Sequence, residues 1–393
     1  MSRSAILYIT VMLASPTDHL CAREFGVPTD VYVDSVKGKQ GGRGTISRPF
    51  RSISEAVAAL REPLASSVTI HLRGAEHAST GGIGMPENVL ELMVRMRPGV
   101  EVRIIGEADR LGAPPALTWM SGRAMVDARE GSWWLEGLQI GSGSTRQRRG
   151  VQVLGPAELT LKDVTIETCS HSDAGIHAER GGKVSLRGAI RLAPDRHDSA
   201  EDDSFCGIVA TDRGVVRFRE REGASLDMGN GSLSASYYGC IRLGCETARI
   251  TCWADQSNNL AVNNSGRVDL HGTTVSLHAR NPRNTPVGLE HDGHILGEDA
   301  RLLIQGKNSM AIALQKASTF TCNDIVLEGE FDYCVWAASG SMFVGRFLTD
   351  VGKIEATTGA GIHIEKVDGE MKGDVIARHA GVVSLPDRII FSK

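Results

Sequence analysis

Gly150-Val-Gln-Val, Gly175-Ile-His-Ala, Gly207-Ile-Val-Ala, Gly239-Cys-Ile-Arg, Leu260-Ala-Val-Asn, Gly288-Leu-Glu-His, Ala311-Ile-Ala-Leu, Cys334-Val-Trp-Ala and Gly361-Ile-His-Ile are copies of one short phrase. They recur roughly every 21 to 32 residues between Arg149 and Lys393. A second alternating run follows each copy, as in Lys183-Val-Ser-Leu, Val215-Val-Arg-Phe and Arg267-Val-Asp-Leu. Self-similarity at such a period marks a stacked repeat architecture. The unit reads strand, turn, strand, loop, with no helical segment between copies. The expected fold is therefore all-β, a solenoid of about 10–12 β coils.

A 393-residue chain ordinarily splits into two or three globular domains. A solenoid lengthens its core instead of thickening it, so one continuous body is compatible with this length. The 45 glycines and the 5% aromatic content suit tight turns and small stacked side chains. A net charge of −4 gives no global electrostatic case for nucleic acid. No CxxC pair or Cys/His grouping has zinc-ligand spacing, so no metal site is expected. The eight cysteines read as small buried hydrophobes or as disulfide partners, and Cys206 with Cys240, at similar places in successive coils, is the pair to examine.

Three segments follow from the pattern. Residues 1–29 read as an N-terminal arm or a weak signal peptide: Ala5–Ala14 resembles a signal core, but Leu20 spoils the cleavage pattern before Cys21. Residues 30–148 hold a cap and the first coils, and 149–393 the main coils. Within the latter, 190–205 breaks the rhythm as a protruding loop, and Val382–Pro386 with Ile389–Phe391 reads as a last strand and plug. No other run approaches the length of a membrane span. Ser52 and Glu55 fit a capping box, and Ile53, Ala56, Val57 and Leu60 share one helical face, which predicts a short capping helix.

The order Tyr32-Val-Asp, the Gly38–Gly44 loop, Ser47-Arg-Pro-Phe50 and then an Ala-rich helix resembles the opening of right-handed parallel β-helix proteins of the pectin-lyase-like superfamily. Val68–Leu72, Gly99–Gly106 and Trp134–Ile140 continue the resemblance. It implies a right-handed β-helix and leaves activity open, since that superfamily includes lyases, hydrolases, tailspikes and adhesins. The opening is most like that of phage spikes. The expectation that follows is a homotrimeric virion spike or tail fibre, docked to other virion proteins by its arm and binding cell-surface polysaccharide. The alternative is a secreted polysaccharide lyase or glycoside hydrolase.

Alternation sorts the phrase into two sets. Ile176, Ile208, Ile241, Leu289, Ile312, Val335 and Ile362 point inward. His177, Arg242, Trp336 and His363 fall on the outer column and are the expected ligand-binding residues, Trp336 by stacking on a sugar face. The carboxylates open to catalysis are Glu290 and Asp292 on a strand and Asp202 and Asp203 on the acidic loop, where calcium is a further reading. Polygalacturonase-like enzymes pair an Asp-Asp with Asn-Thr-Asp, Gly-His-Gly and Arg-Ile-Lys segments. Only Asp202-Asp203 is present here, which favours a binding rather than a catalytic reading.

The register makes a test. Ile208→Asp or Ile362→Asp would bury an unpaired charge and should abolish folding, whereas Val209→Asp should be tolerated. Equal, mild losses in thermal stability at both kinds of site would show the register to be wrong.

Overall fold

The computed structural model describes residues 30–60, 62–74, 76–78, 90–109, 112–119, 124–142, 149–168, 174–194, 207–229, 231–252, 258–279 and 285–387. The arm or signal segment 1–29, the acidic loop with Asp202, Asp203 and its calcium reading, Cys206, and the Ile389–Phe391 plug lie outside these residues.

Each coil contributes three strands, not two, and each strand pairs in parallel with its counterpart one coil on. Three faces result. The first carries Val215–Phe218, Cys240–Arg242 and Arg267–Asp269 in succession, with Arg217 opposite Arg242 and Arg242 opposite Asp269. The second carries Ser225–Met228, Thr247–Cys252 and Thr274–Ala279. The third carries Arg149–Leu154, Ala174–Glu179 and Ile208–Ala210.

Four strands cross the corner between the first and second faces without a break: Glu158–Thr168, Lys183–Pro194, His294–Leu314 and Thr319–Ala337. Lys183–Pro194 pairs with both Val215–Phe218 and Ser225–Met228, and His294–Leu314 pairs with both Arg267–Asp269 and Thr274–Ala279. The sheet therefore closes on itself. From Lys183–Pro194 the pairing passes down the first face through Val215–Phe218, Cys240–Arg242 and Arg267–Asp269 to His294–Leu314. It returns up the second face through Thr274–Ala279, Thr247–Cys252 and Ser225–Met228. This closed ring of eight parallel strands corrects the expected fold class. A right-handed β-helix solenoid of 10–12 separate strand-turn-strand coils is not what the pairing forms, because uninterrupted strands join the two faces. The expected protruding loop is also shortened, since residues 190–194 continue a strand.

Alternation decides what fills the interior. On the third face Val126, Val151, Ile176, Ile208, Leu233 and Leu260 form one inward row, each at most 1% exposed. On the first face Val216, Ile241, Val268, Ile295, Phe320, Phe343 and Ile362 do the same. Phe320 and Phe343 stack with ring centroids 5.2 Å apart. Burying each aliphatic side chain contributes about 1.5–3 kcal/mol. The only helix among the described residues is Ile53–Ala58, where Ser52 Oγ accepts the Glu55 N–H at 3.2 Å and Ile53 and Ala56 are fully buried.

The ridge between the third and first faces is a column of tight turns. Asp212-Arg213, Tyr237-Tyr238, Asn264-Ser265, His291-Asp292 and Lys316-Ala317 all have positive φ. Each such non-glycine residue costs about 1–2 kcal/mol. A hydrogen-bonded ladder offsets the cost: Arg213 N–H donates to Tyr237 O at 3.1 Å, Ser265 to His291 at 3.0 Å, Asp292 to Lys316 at 2.9 Å and Ala317 to Ser339 at 2.9 Å. The residue after the turn comes against the backbone of the preceding coil. At Gly239 and Gly266 a Cβ would overlap the carbonyl oxygens of Ala210 and Ala235.

Gly239→Ala should therefore force adjacent coils apart and lower stability by about 1–3 kcal/mol. Gly223→Ala, on a turn where a Cβ meets nothing within 4 Å, should cost only the strain of its φ of 68°. Denaturant titration of the two variants checks the difference.

Candidate active site

The four expected ligand-binding residues do not converge, because copies of the phrase fall on two faces. His177 and Trp336 lie on the third face, six rungs apart or about 29 Å at about 4.8 Å per rung. Arg242 and His363 lie on the first face, with Asp269, Leu296, Thr321 and Val344 between them. Trp336 is half-buried, His363 exposed, and His177 only 6% exposed. His177 continues a row of outward-pointing but buried polar residues, Asp127 and Gln152, in which Asp127 Oδ2 accepts Arg129 Nη2 at 2.7 Å.

Glu290 ends the strand Val287–Glu290, and His291 and Asp292 turn with φ of 51° and 61°. Strand alternation thus stops before Asp292, and the basis for placing both carboxylates on one side is lost. Asp292 instead accepts Ser265 Oγ at 3.1 Å and approaches His294 Nε2 at 3.3 Å. Cys240 is a half-buried free thiol whose pKa is pushed up, chiefly by burial. Cys245 and Cys322 are free and fully buried, and burial raises both thiols to about 12.

Two clefts remain. The larger, about 900 Å³, is lined by Lys307, Glu330, Phe331, Asp332, Asp350 and Lys372 among others. Its carboxylates are mostly engaged. Glu330 pairs with Lys307 at 3.3 Å, while Asp350 pairs with Lys372 and accepts the Glu370 N–H at 2.9 Å. Those two contacts, Lys372 first, hold Asp350 below the usual carboxylate range. Both pairs are largely exposed, so each contributes little.

The second cleft, about 410 Å³, lies where the first face meets its corner and is lined by Phe218, Arg242, Arg267, Asp269, His271 and Glu298, with Leu243, Gly244 and Leu296. Alternation places Asp269 outward, between the inward Val268 and Leu270. Its side chain is only 14% exposed and is shared by two arginines, Arg267 Nε at 2.6 Å and Arg242 Nε at 3.3 Å. The contact with Asp269 is the main reason that the Arg267 pKa is raised, and Glu298 adds to it. Asp269 sits opposite Leu296 on the next rung, with Glu298 two residues further on. One rung of about 4.8 Å across and two residues of about 3.3 Å each along place the two backbone positions about 8 Å apart. Phe218, 8% exposed, supplies an apolar wall.

Of the expected site residues that the structure describes, Arg242 alone lines this cleft. Asp269 belongs to Arg267-Val-Asp-Leu, and its partners stay hidden as long as Gly239-Cys-Ile-Arg is aligned with third-face phrases. Aligned instead with Val215-Val-Arg-Phe and Arg267-Val-Asp-Leu, it puts Arg217, Arg242 and Asp269 in one outward row. Glu298 continues the outward alternation of His294 and Leu296 along the same strand, a signal that the repeated phrases do not contain. Among the described residues no group of three His, Cys, Asp or Glu side chains is arranged to hold a metal ion, and no helix is long and apolar enough to cross a membrane.

No protein-family description matches this chain, and no curated protein matches it. Among solved structures, the native and selenomethionine forms of a GH136 lacto-N-biosidase from Eubacterium ramulus are similar to it. Both are 13% identical, cover 91% of this chain and 68% of theirs, and have TM-scores of 0.43 and 0.42 respectively. The neighbour is a glycoside hydrolase. The closed ring of strands corrects the expected kinship with β-helix tailspikes, and the virion spike or tail fibre reading that rested on that kinship falls with it.

Proposed function

We propose that the chain is a glycoside hydrolase acting in the Asp269–Glu298 cleft. The observation that carries this reading is a pair of carboxylates in one open cleft, one paired to two arginines and shielded, the other exposed. Glycoside hydrolysis uses two carboxyl groups flanking the scissile bond, and a separation of about 6.5–9.5 Å leaves room for a water on the inverting path. Backbone positions about 8 Å apart on one outer surface bring the two carboxyl groups within reach of such a separation.

The roles follow from the surroundings. Arg242 and Arg267 orient the Asp269 carboxylate, which accepts a proton from the attacking water as general base. Glu298, exposed at the cleft wall, protonates the departing glycosidic oxygen as general acid.

Reducing-sugar release from a panel of oligosaccharides and polysaccharides should reveal activity. Glu298→Gln should lower kcat by about 10²–10⁴-fold with an unchanged melting temperature. Asp269→Asn should be equally inactive and also less stable, because it leaves Arg242 and Arg267 facing each other without a counter-ion. An active wild type whose rate is unaffected by Glu298→Gln would overturn the assignment.

A further inference from the structure

The outward row above the cleft carries more positive charge than its carboxylates neutralise. Arg217 lies directly opposite Arg242 on the neighbouring strand, and Arg219 follows two residues along the chain. Like charges directly opposite in a sheet are destabilising. The nearby acidic groups are engaged elsewhere: Asp269 by Arg242 and Arg267, Glu158 by Lys183 at 2.6 Å, and Glu220 by Arg187. Arg219 Nε donates to Ser185 Oγ at 3.2 Å, a neutral partner. Arg217 is half-buried, and its guanidinium is pushed below its usual range by burial first and then by Arg219 and Arg242, with Glu158 pulling the other way. A sheet that holds cations together against their repulsion gains stability when an anion joins them. Guanidinium groups suit planar or tetrahedral oxyanions, which they bind bidentately.

We propose that Arg217 and Arg219, continuing onto Arg242 at the cleft, form a binding site for the carboxylate or sulfate groups of an acidic glycan. The choice of a glycan as the ligand rests on the hydrolase reading above. Arg217 lies two rungs, about 10 Å, from Asp269 with Arg242 on the rung between, so the site holds the charged units close to the bond that the cleft addresses. It makes the substrate a polyanionic chain and not a neutral one.

Binding is measured by calorimetry on the Glu298→Gln protein, which separates it from turnover. Polygalacturonate carries the carboxylate, dextran sulfate the sulfate, and neutral dextran neither, with duplex DNA as a fourth arm at the same ionic strength. One or both acidic glycans should bind while dextran and DNA bind at least tenfold more weakly. The double variant Arg217→Ala, Arg219→Ala should lose at least tenfold in affinity, and Arg217→Lys should lose less. Because the double variant removes a repulsion, its melting temperature at low salt should equal or exceed that of the parent. Equal affinity in parent and double variant overturns the proposal, as does dextran binding as tight as that of the acidic chains. DNA binding as tight as theirs overturns the glycan as ligand. Cleavage of neutral glycans by the wild type without binding of acidic ones would sink this inference and leave the hydrolase reading standing. Acidic-glycan binding lost in the double variant, with no cleavage of any glycan, would do the reverse.

Discussion

The parallel rung, with its spacing of about 4.8 Å, governs this molecule. It sets each side chain above its counterpart one coil away, so whatever one coil presents is repeated or opposed by the next. Inside, the rule is favourable: Ile176, Ile208 and Leu233 stack as one apolar row. Outside, it is unforgiving, because Arg217 must face Arg242 whether or not a counter-ion is present. Corner-crossing strands such as Lys183–Pro194 and His294–Leu314 make the constraint global by tying one face to the next. A shift of one residue in either would turn two rows inside out together.

The inward rows were legible in the chain because period two is a local property. Ile176, Ile208, Ile241, Leu289, Ile312, Val335 and Ile362 are all at most 1% exposed. The assignment of phrases to faces was not legible, since Gly239-Cys-Ile-Arg and Gly207-Ile-Val-Ala look alike yet sit on different faces. The outer column drawn from such phrases mixed two surfaces, so His177 and Arg242 were grouped although the fold separates them. Continuous strands across a corner leave no mark that distinguishes them from two strands and a turn. The closed ring was hidden for that reason. The resemblance at the N-terminal opening reached the capping helix Ile53–Ala58 and went too far in the kinship it implied.

The cleft shows how charge is apportioned on a surface where every position is opposed. One carboxylate, Asp269, serves two arginines and is thereby fixed in orientation. In the larger cleft Glu330 and Asp350 instead each meet a lysine on a flexible stem, in exposed pairs that restrain little. Size and chemical readiness therefore part company: the roomier cleft is the less organised one.

The turn ridge has a bearing on how such a chain tolerates change. Along it the backbone does the holding, through amide-to-carbonyl contacts from turn to turn, while the side chains of Asp212, Tyr237, Asn264, His291 and Lys316 project without being needed for them. The ridge acts as a spine of fixed pitch carrying interchangeable ornaments. Charge, aromaticity and hydrogen-bonding character can be rewritten there one position at a time with the coils undisturbed. An added or deleted residue, by contrast, would break the spine, so length variation is confined to the other two edges of the stack.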